Sequence, residues 1–184
     1  RFKCSLMRII SGDYKGKRLV APKKLPVRPT TDMAKEGLFN ILSNRYHLQN
    51  LKVLDLFAGT GNISFEFASR GTGDIIAVDA FPGCVQFISR TSKELDFSIQ
   101  SIKSDVFKFL EKVPGTFDII FADPPYDLQV SQFERIIHTV FERKMLQPNG
   151  TLILEHAAQT QLNYLDHFSE FRKYGGSRFS FFMV

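Results

Sequence analysis

Residues 53–62, VLDLFAGTGN, decide the fold that this 184-residue sequence predicts. The stretch begins as a short apolar run, broken by Asp55, of the kind that forms a parallel strand buried on both faces. Gly59 and Gly61 then predict a tight turn, and residues 63–68 predict the helix that follows. Because ligands bind at the carboxyl ends of strands in an open α/β sheet, this turn is a predicted binding site.

Two classes of ligand compete for the turn. The dinucleotide fingerprint is GxGxxG or GxGxxA, and here its third position is Ser64, so the match is incomplete. A second pattern, D-x-F-x-G-x-G, is complete as Asp55, Phe57, Gly59 and Gly61, and it resembles the S-adenosylmethionine turn of Rossmann-like methyltransferases. An ordinary strand-to-helix turn without a ligand is the third alternative.

The composition is that of a globular protein with one domain. At 184 residues and 43% hydrophobic content, the chain is long and apolar enough for one substantial core. No apolar run approaches the ~20 residues that span a bilayer, and residues 1–6 carry no signal-peptide pattern, so Met7 is the more natural start. Cys4 and Cys84 are too few for a disulfide framework, which predicts a reducing, cytoplasmic setting.

Positive charge is concentrated in the first 28 residues, which hold nine lysines and arginines against one aspartate. The whole chain has a net charge of +5, so the remaining residues are mildly acidic, and this division indicates a polyanionic partner. Residues 7–11 and 18–21 predict a hairpin that presents cations to phosphates, with the Tyr14 ring at its tip, open to an unpaired base. A solvated surface that only keeps the protein soluble is the alternative. The predicted RNA contacts are Arg8, Tyr14, Lys15, Lys17, Arg18, Lys23, Lys24 and Arg28.

After this basic arm, the pattern is that of a mostly parallel sheet. An amphipathic helix is predicted over residues 32–46, and from residue 51 strands and helices alternate. The predicted strands are 53–57, 74–78, 98–103, 117–122 and 150–154, and the helices are 63–68, 82–95, 107–112 and 130–145. Residues 168–174 and 178–184 predict a closing hairpin. We therefore predict an α/β fold with a seven-stranded, doubly wound, mostly parallel sheet, a C-terminal antiparallel hairpin and a small N-terminal β-hairpin, divided into an arm (residues 1–30) and a main domain (residues 31–184).

Acidic residues follow three of the predicted strands. Asp79, Asp105 and Asp123 would lie on one rim of a parallel sheet, although any one of them is more often a helix cap. Asp79 is placed where an acid binds both hydroxyls of a ribose. Asp105 is placed to reach the edge of an adenine, with Val106 or Phe107 against the ring. Three acids at successive strand ends favour a binding site over three unrelated caps.

The sequence Asp123-Pro124-Pro125-Tyr126, directly after an apolar strand, is the most specific signal in the chain. The two prolines fix the backbone and remove two N–H donors, so their carbonyls are left to accept hydrogen bonds. Asp123 adds a carboxylate acceptor, and Tyr126 adds a ring that can face a flat base. Such acceptors suit a planar exocyclic amine, since hydrogen bonds from both its protons localise the nitrogen lone pair and align it with an electrophilic methyl group. A rigid loop that only ends the strand is the alternative.

These motifs resemble those of a known family. The pattern D-x-F-x-G-x-G followed by [DN]PP[YF] resembles the amino-group methyltransferases, which act on exocyclic nitrogens of nucleobases. The segments MRIISGDYKGKRL and LPVRPTTDMAKEGLFNIL resemble the RsmD-type enzymes, which methylate a guanine N2 in bacterial 16S ribosomal RNA, and the likeness runs from Met7 to about residue 155.

The resemblance implies a Rossmann-like, S-adenosylmethionine-dependent methyltransferase. It assigns two sets of site residues: S-adenosylmethionine to Asp55, Phe57, Gly59, Gly61, Asp79, Asp105 and Val106, and the target amine to Asp123, Pro124, Pro125 and Tyr126. Residues 28–31 would lie near the cofactor or the RNA.

We therefore expect a cytoplasmic RNA guanine-N2 methyltransferase that acts as a monomer on 16S ribosomal RNA, either naked or within an assembled small-subunit particle. No membrane contact is expected, and no metal, because the four histidines show no zinc spacing. A DNA adenine-N6 methyltransferase would use the same Asp123 motif, but the chain has no room for a separate DNA-recognition domain. A non-catalytic RNA-binding assembly factor is the second alternative, and a nicotinamide-dependent oxidoreductase is a distant one, because Ser64 breaks the dinucleotide fingerprint.

Overall fold

The computed structural model describes residues 6–22, residue 25 and residues 30–184. An antiparallel hairpin of two short strands, β1 (Leu6–Arg8) and β2 (Arg18–Val20), opens the described chain. The predicted N-terminal hairpin is confirmed, although its strands are three residues long and thus shorter than the predicted spans.

A seven-stranded sheet forms the centre of the protein. Its strands are β3 (Lys52–Leu56), β4 (Asp74–Asp79), β5 (Ile99–Lys103), β6 (Phe117–Ala122), β7 (Leu146–Ala157), β8 (Phe168–Tyr174) and β9 (Ser177–Met183). Their spatial order is β5-β4-β3-β6-β7-β9-β8. Neighbours from β5 to β7 run parallel, whereas β9 runs antiparallel to both β7 and β8. The predicted doubly wound, mostly parallel sheet with a closing antiparallel hairpin is confirmed.

Helices cover both faces of this sheet. They are α1 (Asp32–Arg45), α2 (Asn62–Ser69), α3 (Pro82–Glu94), α4 (Val106–Lys112) and α5 (Val130–Glu142), with a short 3₁₀ helix over Leu48–Asn50. The first three pack on one face and the last two on the other, so each face buries its own apolar cluster. Thr31 begins α1 by accepting a hydrogen bond from the Ala34 N–H. None of the helices in the described ranges combines the length and the apolar character that a bilayer crossing requires.

The order in which strands are added changes direction between β3 and β6. From β3, the next two strands in sequence extend the sheet on one side, whereas β6 and β7 extend it on the other. A doubly wound sheet opens a crevice at this point, beyond the carboxyl ends of its strands. The turn that follows β3 and the loop that follows β6 therefore face the same crevice.

β7 is longer at both ends than the predicted span of 150–154. Residues 147–149, with the sequence QPN, precede the predicted strand because their types predict a turn. A register shift in the β6–β7 pair accommodates them, because Phe117 pairs with Leu146 while Ile119 pairs with Thr151. The irregularity is a local bulge in a continuous strand, which residue type alone does not distinguish from a turn.

The N-terminal hairpin packs against α2 and α3. Met7, Ile9 and Leu19 are buried in one cluster with Phe65 of α2 and Phe87 of α3. The hairpin and the sheet therefore enclose α2 between them, and all eight residues of this helix are buried.

A buried ionic network joins the hairpin to the helices. The Glu66 carboxylate of α2 accepts hydrogen bonds from the N–H groups of Ile10 at 2.9 Å and Ser11 at 3.0 Å. Lys35 of α1, only 1% exposed, lies 3.2 Å from the same carboxylate and donates to the Arg8 carbonyl at 2.6 Å. Because removing one partner of a buried ion pair costs about 3–5 kcal/mol, this network holds the hairpin firmly against the sheet domain.

Candidate active site

A cavity of about 490 Å³ opens in the crevice between the ends of β3 and β6. Thr30, Thr60 and Asn62 form part of its wall, together with Phe81 and Cys84 at the start of α3. Two motifs that are far apart in the sequence thus contribute to one cavity. The predicted site residues that line it are Asp55, Phe57, Gly59, Asp79, Asp123, Pro124, Pro125 and Tyr126.

Left-handed backbone conformations shape the turn after β3. Phe57, Gly59 and Gly61 have φ angles of 56°, 55° and 78°. Glycine adopts this region freely, whereas a phenylalanine held there stores about 1–3 kcal/mol of strain. At Gly61, which begins α2, a Cβ atom would lie 2.9 Å from Ile88 and 3.0 Å from Phe65, so packing also requires glycine. Gly61 therefore supports the turn from behind the cavity wall.

Asp79 closes the turn from the neighbouring strand β4. One of its carboxylate oxygens accepts a hydrogen bond from the Gly59 N–H and the other from the Phe81 N–H, both at 2.8 Å. These two bonds fix the orientation of the carboxylate at the cavity wall. Each oxygen has further lone pairs, so the group can also accept hydrogen bonds from ligand hydroxyls.

Asp55 lies deeper, at the floor of the turn, and is 2% exposed. Its Oδ2 accepts hydrogen bonds from the Ser64 hydroxyl at 2.6 Å and from the Ser64 N–H at 3.2 Å, which ties β3 to α2. Burial raises the pKa of Asp55 to about 7, the Ser64 hydrogen bonds oppose the rise, and the Asp79 charge adds to it. Asp55 therefore combines a structural role with a titratable charge at the cavity.

Asp123 is partly exposed, directly beyond the end of β6, and lines the cavity. Its N–H donates to the Leu56 carbonyl at 3.3 Å, which joins the loop to the end of β3. Burial, and then the charges of Glu155 and Asp55, hold the pKa of Asp123 well above its usual range. The carboxyl at the predicted amine site thus lies in an acidic, poorly solvated environment.

Tyr126 forms the outer edge of the cavity and is 54% exposed. Its hydroxyl lies 3.2 Å from the Ser177 hydroxyl, so the closing hairpin supports the ring. Pro124 is buried, and the Pro125 carbonyl accepts a hydrogen bond from the Leu128 N–H at 3.0 Å. The loop is thus rigid at its centre, with its aromatic ring turned to the opening.

Asp105 and Val106 do not line the cavity. The Asp105 side chain begins α4 by accepting a hydrogen bond from the Lys108 N–H at 2.9 Å, and Val106 is 2% exposed in the core. The structure therefore places these two residues in the roles of a helix cap and a core side chain. Their assignment to an adenine stays a prediction.

The cations of the N-terminal hairpin are exposed. Lys15, Lys17 and Arg18 lie on its surface, and Arg8 pairs with Asp32 at 2.9 Å with half of its side chain accessible. The hairpin contacts the glycine turn directly, since the Thr60 hydroxyl, on the cavity wall, donates to Met7 Sδ at 2.8 Å. The predicted contacts Lys23, Lys24 and Arg28 lie outside the described residues.

Tyr14 is not presented at the tip of the hairpin as the sequence suggested. Its hydroxyl donates to the Leu95 carbonyl at 2.9 Å, and its ring packs edge-on against Phe97 with the centroids 5.0 Å apart. The expectation of an open ring is therefore wrong. An aromatic side chain between a basic turn and a hydrophobic cluster is stabilised more by packing than by exposure to solvent. Tyr14 anchors the hairpin to the end of α3.

Sequence reasoning missed Glu155, and for Thr30 it gave only the expectation that residues 28–31 lie near the cofactor or the RNA. Glu155 directly follows the predicted strand 150–154, the same signal that identified Asp79 and Asp123, but no neighbouring motif drew attention to it. The Thr30 hydroxyl donates to the Glu155 carboxylate at 2.7 Å, and Thr30 itself lines the cavity. This contact joins residues 125 positions apart in the sequence, so no local pattern could have revealed it.

The side chains that line the cavity suit a polar ligand that carries a positive charge and hydroxyl groups. Asp55, Asp79 and Asp123 supply carboxylates, while Phe57 and Phe81 supply apolar surface for a flat group. Across the described residues, no cluster of three or more His, Cys, Asp or Glu side chains has the geometry to hold a metal ion.

Comparisons with known proteins identify the family. The sequence profile of the family described as "Conserved hypothetical protein 95" matches residues 7–183. The chain is 34% identical over 161 residues to YlbH of Bacillus subtilis (strain 168), covering 85% of each protein. It is 30% identical over 156 residues to "Ribosomal RNA small subunit methyltransferase D" of Buchnera aphidicola subsp. Acyrthosiphon pisum, covering 83% of this chain and 79% of that protein.

A comparison of structures finds the same fold in a solved enzyme. The 16S rRNA N2 methyltransferase RsmC of T. thermophilus, in complex with AdoMet and guanosine, superposes with a TM-score of 0.74. The match has 21% sequence identity and covers 98% of this chain and 50% of that one, so this likeness is one of fold.

Proposed function

Because the chain belongs to the RsmD-type methyltransferase family described as "Conserved hypothetical protein 95", we propose that it methylates the exocyclic N2 amine of a guanine in small-subunit ribosomal RNA, with S-adenosylmethionine as the methyl donor. The relative named "Ribosomal RNA small subunit methyltransferase D" supports the substrate. The observation that carries the proposal is that the glycine turn after β3 and the whole Asp123–Tyr126 loop line one cavity. A donor and an acceptor of a methyl group would therefore meet within contact distance.

The cavity fits the proposed methyl donor. S-adenosylmethionine, when bound, supplies an electrophilic methyl carbon on a positively charged sulfur. Asp79, whose orientation is fixed by two backbone N–H groups, would accept hydrogen bonds from the ribose hydroxyls. The negative charge of the carboxyl cluster would attract the sulfonium, and Phe57 and Phe81 would pack against flat parts of the molecule.

The Asp123–Tyr126 loop would hold the guanine. The Asp123 carboxylate would accept a hydrogen bond from the N2 amine and stabilise the positive charge that develops on nitrogen as it attacks. The exposed Tyr126 ring would stack on the base and exclude water from the reacting atoms. A base within a duplex cannot reach such a cavity, so the target guanine must be unpaired or turned out of its stack.

The N-terminal hairpin would bind the RNA along a surface that runs from this cavity to the far end of α2. Its exposed Lys15, Lys17 and Arg18 suit phosphate contacts. Met7 of β1 contacts Thr60 beside the glycine turn, and the turn of the hairpin contacts Ser69 at the other end of α2. We propose that residues 1–30 act as an RNA-binding arm and residues 31–184 as the methyltransferase domain. The protein would work as a monomer, since one chain carries both the arm and the cavity.

Substitution of Asp123 tests the proposal. Asp123→Ala should lower the rate of methyl transfer to 16S ribosomal RNA by about 10²–10³-fold, because the main acceptor for the amine is lost. Binding of S-adenosylmethionine, measured by calorimetry, should change by less than about threefold, because Asp79 and the glycine turn remain. The matched control is Asp118→Ala, at the opposite end of β6, which should retain full activity when folded.

Several outcomes would contradict the proposal. Full activity of Asp123→Ala would remove the loop from the chemistry, and a wild-type protein that binds RNA but not S-adenosylmethionine would be an assembly factor. Parallel assays on naked 16S ribosomal RNA, on assembled small-subunit particles and on duplex DNA decide which of the three is the substrate. Mass spectrometry of the methylated nucleoside then distinguishes guanine N2 from adenine N6.

A further inference from the structure

We propose that Glu155 is a positioning residue for methyl transfer: held by Thr30 on the strand beside Asp123, it keeps the Asp123 carboxyl ready to accept the proton that the target amine loses. The inference rests on the proposed methyl transfer and deepens it, since it assigns a destination to that proton and a role to a carboxylate behind the cavity wall.

The register of the sheet brings the two carboxyls together. β6 and β7 are parallel neighbours, and their last paired residues are Ala122 and Leu154. The next residue on each strand is Asp123 on β6 and Glu155 on β7, so the two side chains leave adjacent strands at the same level of the sheet. Glu155 is 4% exposed and does not line the cavity, whereas Asp123 does.

A chain of hydrogen bonds fixes the position of Glu155. Its Oε2 accepts from the Thr30 hydroxyl at 2.7 Å, and the Thr30 carbonyl accepts from Asn62 Nδ2 at 3.1 Å. The Asn62 Oδ1 accepts in turn from Lys35 Nζ at 2.8 Å. Glu155 is therefore held through both α1 and α2, and it cannot turn into solvent without breaking buried hydrogen bonds.

The charges that act on Asp123 are acidic. Glu155 acts from β7 and Asp55 from β3, and Asp79 of β4 acts in turn on Asp55. Lys35, which joins the same hydrogen-bond chain, is paired with Glu66. Burial and the neighbouring charges raise the pKa of Asp123 because ionisation adds another negative charge to a poorly solvated cluster. Asp123 is consequently a stronger base than an ordinary aspartate.

The transfer step releases a proton that such a base can accept. A bond forms between the amine nitrogen and the methyl carbon as the carbon–sulfur bond breaks, and the electron pair of the broken bond stays on sulfur. The positive charge thereby moves from sulfur to nitrogen, which then loses a proton to an Asp123 oxygen while keeping the N–H electron pair. Asp123 is ionised while a cation occupies the cavity, and it regains its affinity for a proton once sulfur is neutral. The proton passes to water when the products leave.

Glu155→Gln tests this role. Glutamine retains the length of the side chain and an oxygen that accepts from Thr30, but it removes the charge. We expect kcat at neutral pH to fall about tenfold and the acidic limb of the pH profile of kcat to move about one unit lower. The KM for S-adenosylmethionine should stay within about twofold of the wild-type value, because Glu155 lies behind the wall.

A matched control removes one carboxylate charge on β6, the strand that leads to Asp123, but far from the cavity. Asp118, at the opposite end of the strand, accepts a hydrogen bond from the Lys52 N–H at 2.8 Å. Asp118→Asn should leave the acidic limb of the pH profile where it is in the wild type. A Glu155→Gln profile that coincides with the wild-type profile would overturn the proposal.

A second readout requires neither methyl donor nor RNA. Because the pKa of Asp123 in the folded protein lies above its usual value of 3.8, the folded state binds the proton more tightly than the unfolded state, and the free energy of unfolding falls as pH rises above that value. In Glu155→Gln, the free energy of unfolding should fall less steeply with pH. If the curves of unfolding free energy against pH run parallel for the variant and the wild type, the coupling between Glu155 and Asp123 is overturned. If the wild type is active and Glu155→Gln has the same pH profile, only the role of Glu155 is overturned. If the wild type methylates no RNA, the proposed function is overturned, and the transfer step with it.

Discussion

Asp55 is a single side chain that both holds the turn together and carries a charge at the cavity. Its two hydrogen bonds with Ser64 fix the start of α2 against β3. Burial nevertheless raises its pKa to about 7, so the protein retains a carboxyl there at an energetic cost near neutral pH. Such a cost is reasonable where a cationic ligand is expected, because the ligand would relieve it.

The first prediction concerns the pH dependence of stability at this residue. The folded pKa of about 7 exceeds the usual value of 3.8, so the folded state binds more protons between these values and the free energy of unfolding falls as pH rises through them. Asp55→Asn preserves an oxygen for Ser64 and cannot ionise. Its unfolding free energy should fall less over this range, by up to about 4 kcal/mol, in denaturant titrations at several pH values. Curves that run parallel for the two proteins would mean that Asp55 keeps an ordinary pKa.

Asp79 and Asp105 show what residue type reveals and what it does not. Both are aspartates at the end of a predicted strand, and sequence analysis predicts a ligand contact for each. Asp79 lies on β4, directly beside β3, and lines the cavity, whereas Asp105 follows β5 at the edge of the sheet and begins α4. The difference depends on which strands are neighbours, and single residues carry no information about that.

Among the elements, the N-terminal hairpin depends on a close approach of its turn to α2. The Asp13 N–H donates to the Ser69 carbonyl at 2.8 Å, and the Ser69 hydroxyl donates to the Ser11 carbonyl at 2.7 Å. Gly12 lies within this contact with φ of 86°, and a Cβ there would lie 1.8 Å from the Ser69 oxygen. Gly16 has a similar φ of 83°, but no atom of the described residues lies within 4 Å of the position that its Cβ would take.

The second prediction uses these two glycines as a matched pair. Gly16→Ala should cost about 1–2 kcal/mol, the penalty for an L residue in the left-handed region. Gly12→Ala carries the same penalty and adds a backbone collision, so its cost should exceed that of Gly16→Ala by about 1–3 kcal/mol or more. Denaturant unfolding measures both costs, and limited proteolysis of the hairpin should increase only in Gly12→Ala. Equal costs for the two variants would show that the turn can move away from α2.

The element boundaries follow the sequence closely where propensity and packing agree. β6 and β8 match their predicted spans, because each is an apolar or alternating run bounded by polar, Pro or Gly residues. α5 ends at Glu142 rather than at residue 145, because Lys144 adopts a left-handed conformation with φ of 49° and turns the chain into β7. Lysine has no preference for that conformation, so the end of the helix could not be predicted from residue type.

At the scale of the whole molecule, charge is divided between the two faces of the sheet. The exposed cations of the hairpin lie on the face covered by α1, α2 and α3, whereas Lys112 ends α4 and Lys144 follows α5 on the other face. Phosphate contacts are expected on the first face, where β1 runs beside the glycine turn. The two groups of lysines therefore allow RNA binding by the hairpin to be distinguished from a general effect of positive charge.

The third prediction tests that division with two double variants of equal charge. Lys15→Gln with Lys17→Gln should weaken binding of single-stranded ribosomal RNA about tenfold at low salt and reduce the salt slope of log K by about 1.4, since two phosphate contacts are lost. Lys112→Gln with Lys144→Gln should leave the affinity within about twofold of the wild type. Fluorescence anisotropy over a range of salt concentrations measures both. Equal losses in the two double variants would indicate that the hairpin has no special role.

The fold and the two cavity motifs were predictable because each is encoded locally, as an apolar run with its turn. The hydrogen bond between Thr30 and Glu155 was not, since it depends on how α1 is placed against β7 after the sheet has formed. The same holds for Tyr14, whose packing against Phe97 requires the hairpin to reach the end of α3. Contacts of this kind form only when the whole sheet has assembled, so no local stretch of sequence indicates them.

The enclosure of α2 has a consequence for the way the protein is made. During translation, the hairpin emerges before α2, and its docking surface on residues 62–69 follows only after some fifty more residues have been synthesised. Glu66, the buried partner of Ile10, Ser11 and Lys35, belongs to that later segment. The nascent arm must therefore wait, solvated and positively charged, beside the ribosome that is producing it, until its counter-surface leaves the exit tunnel.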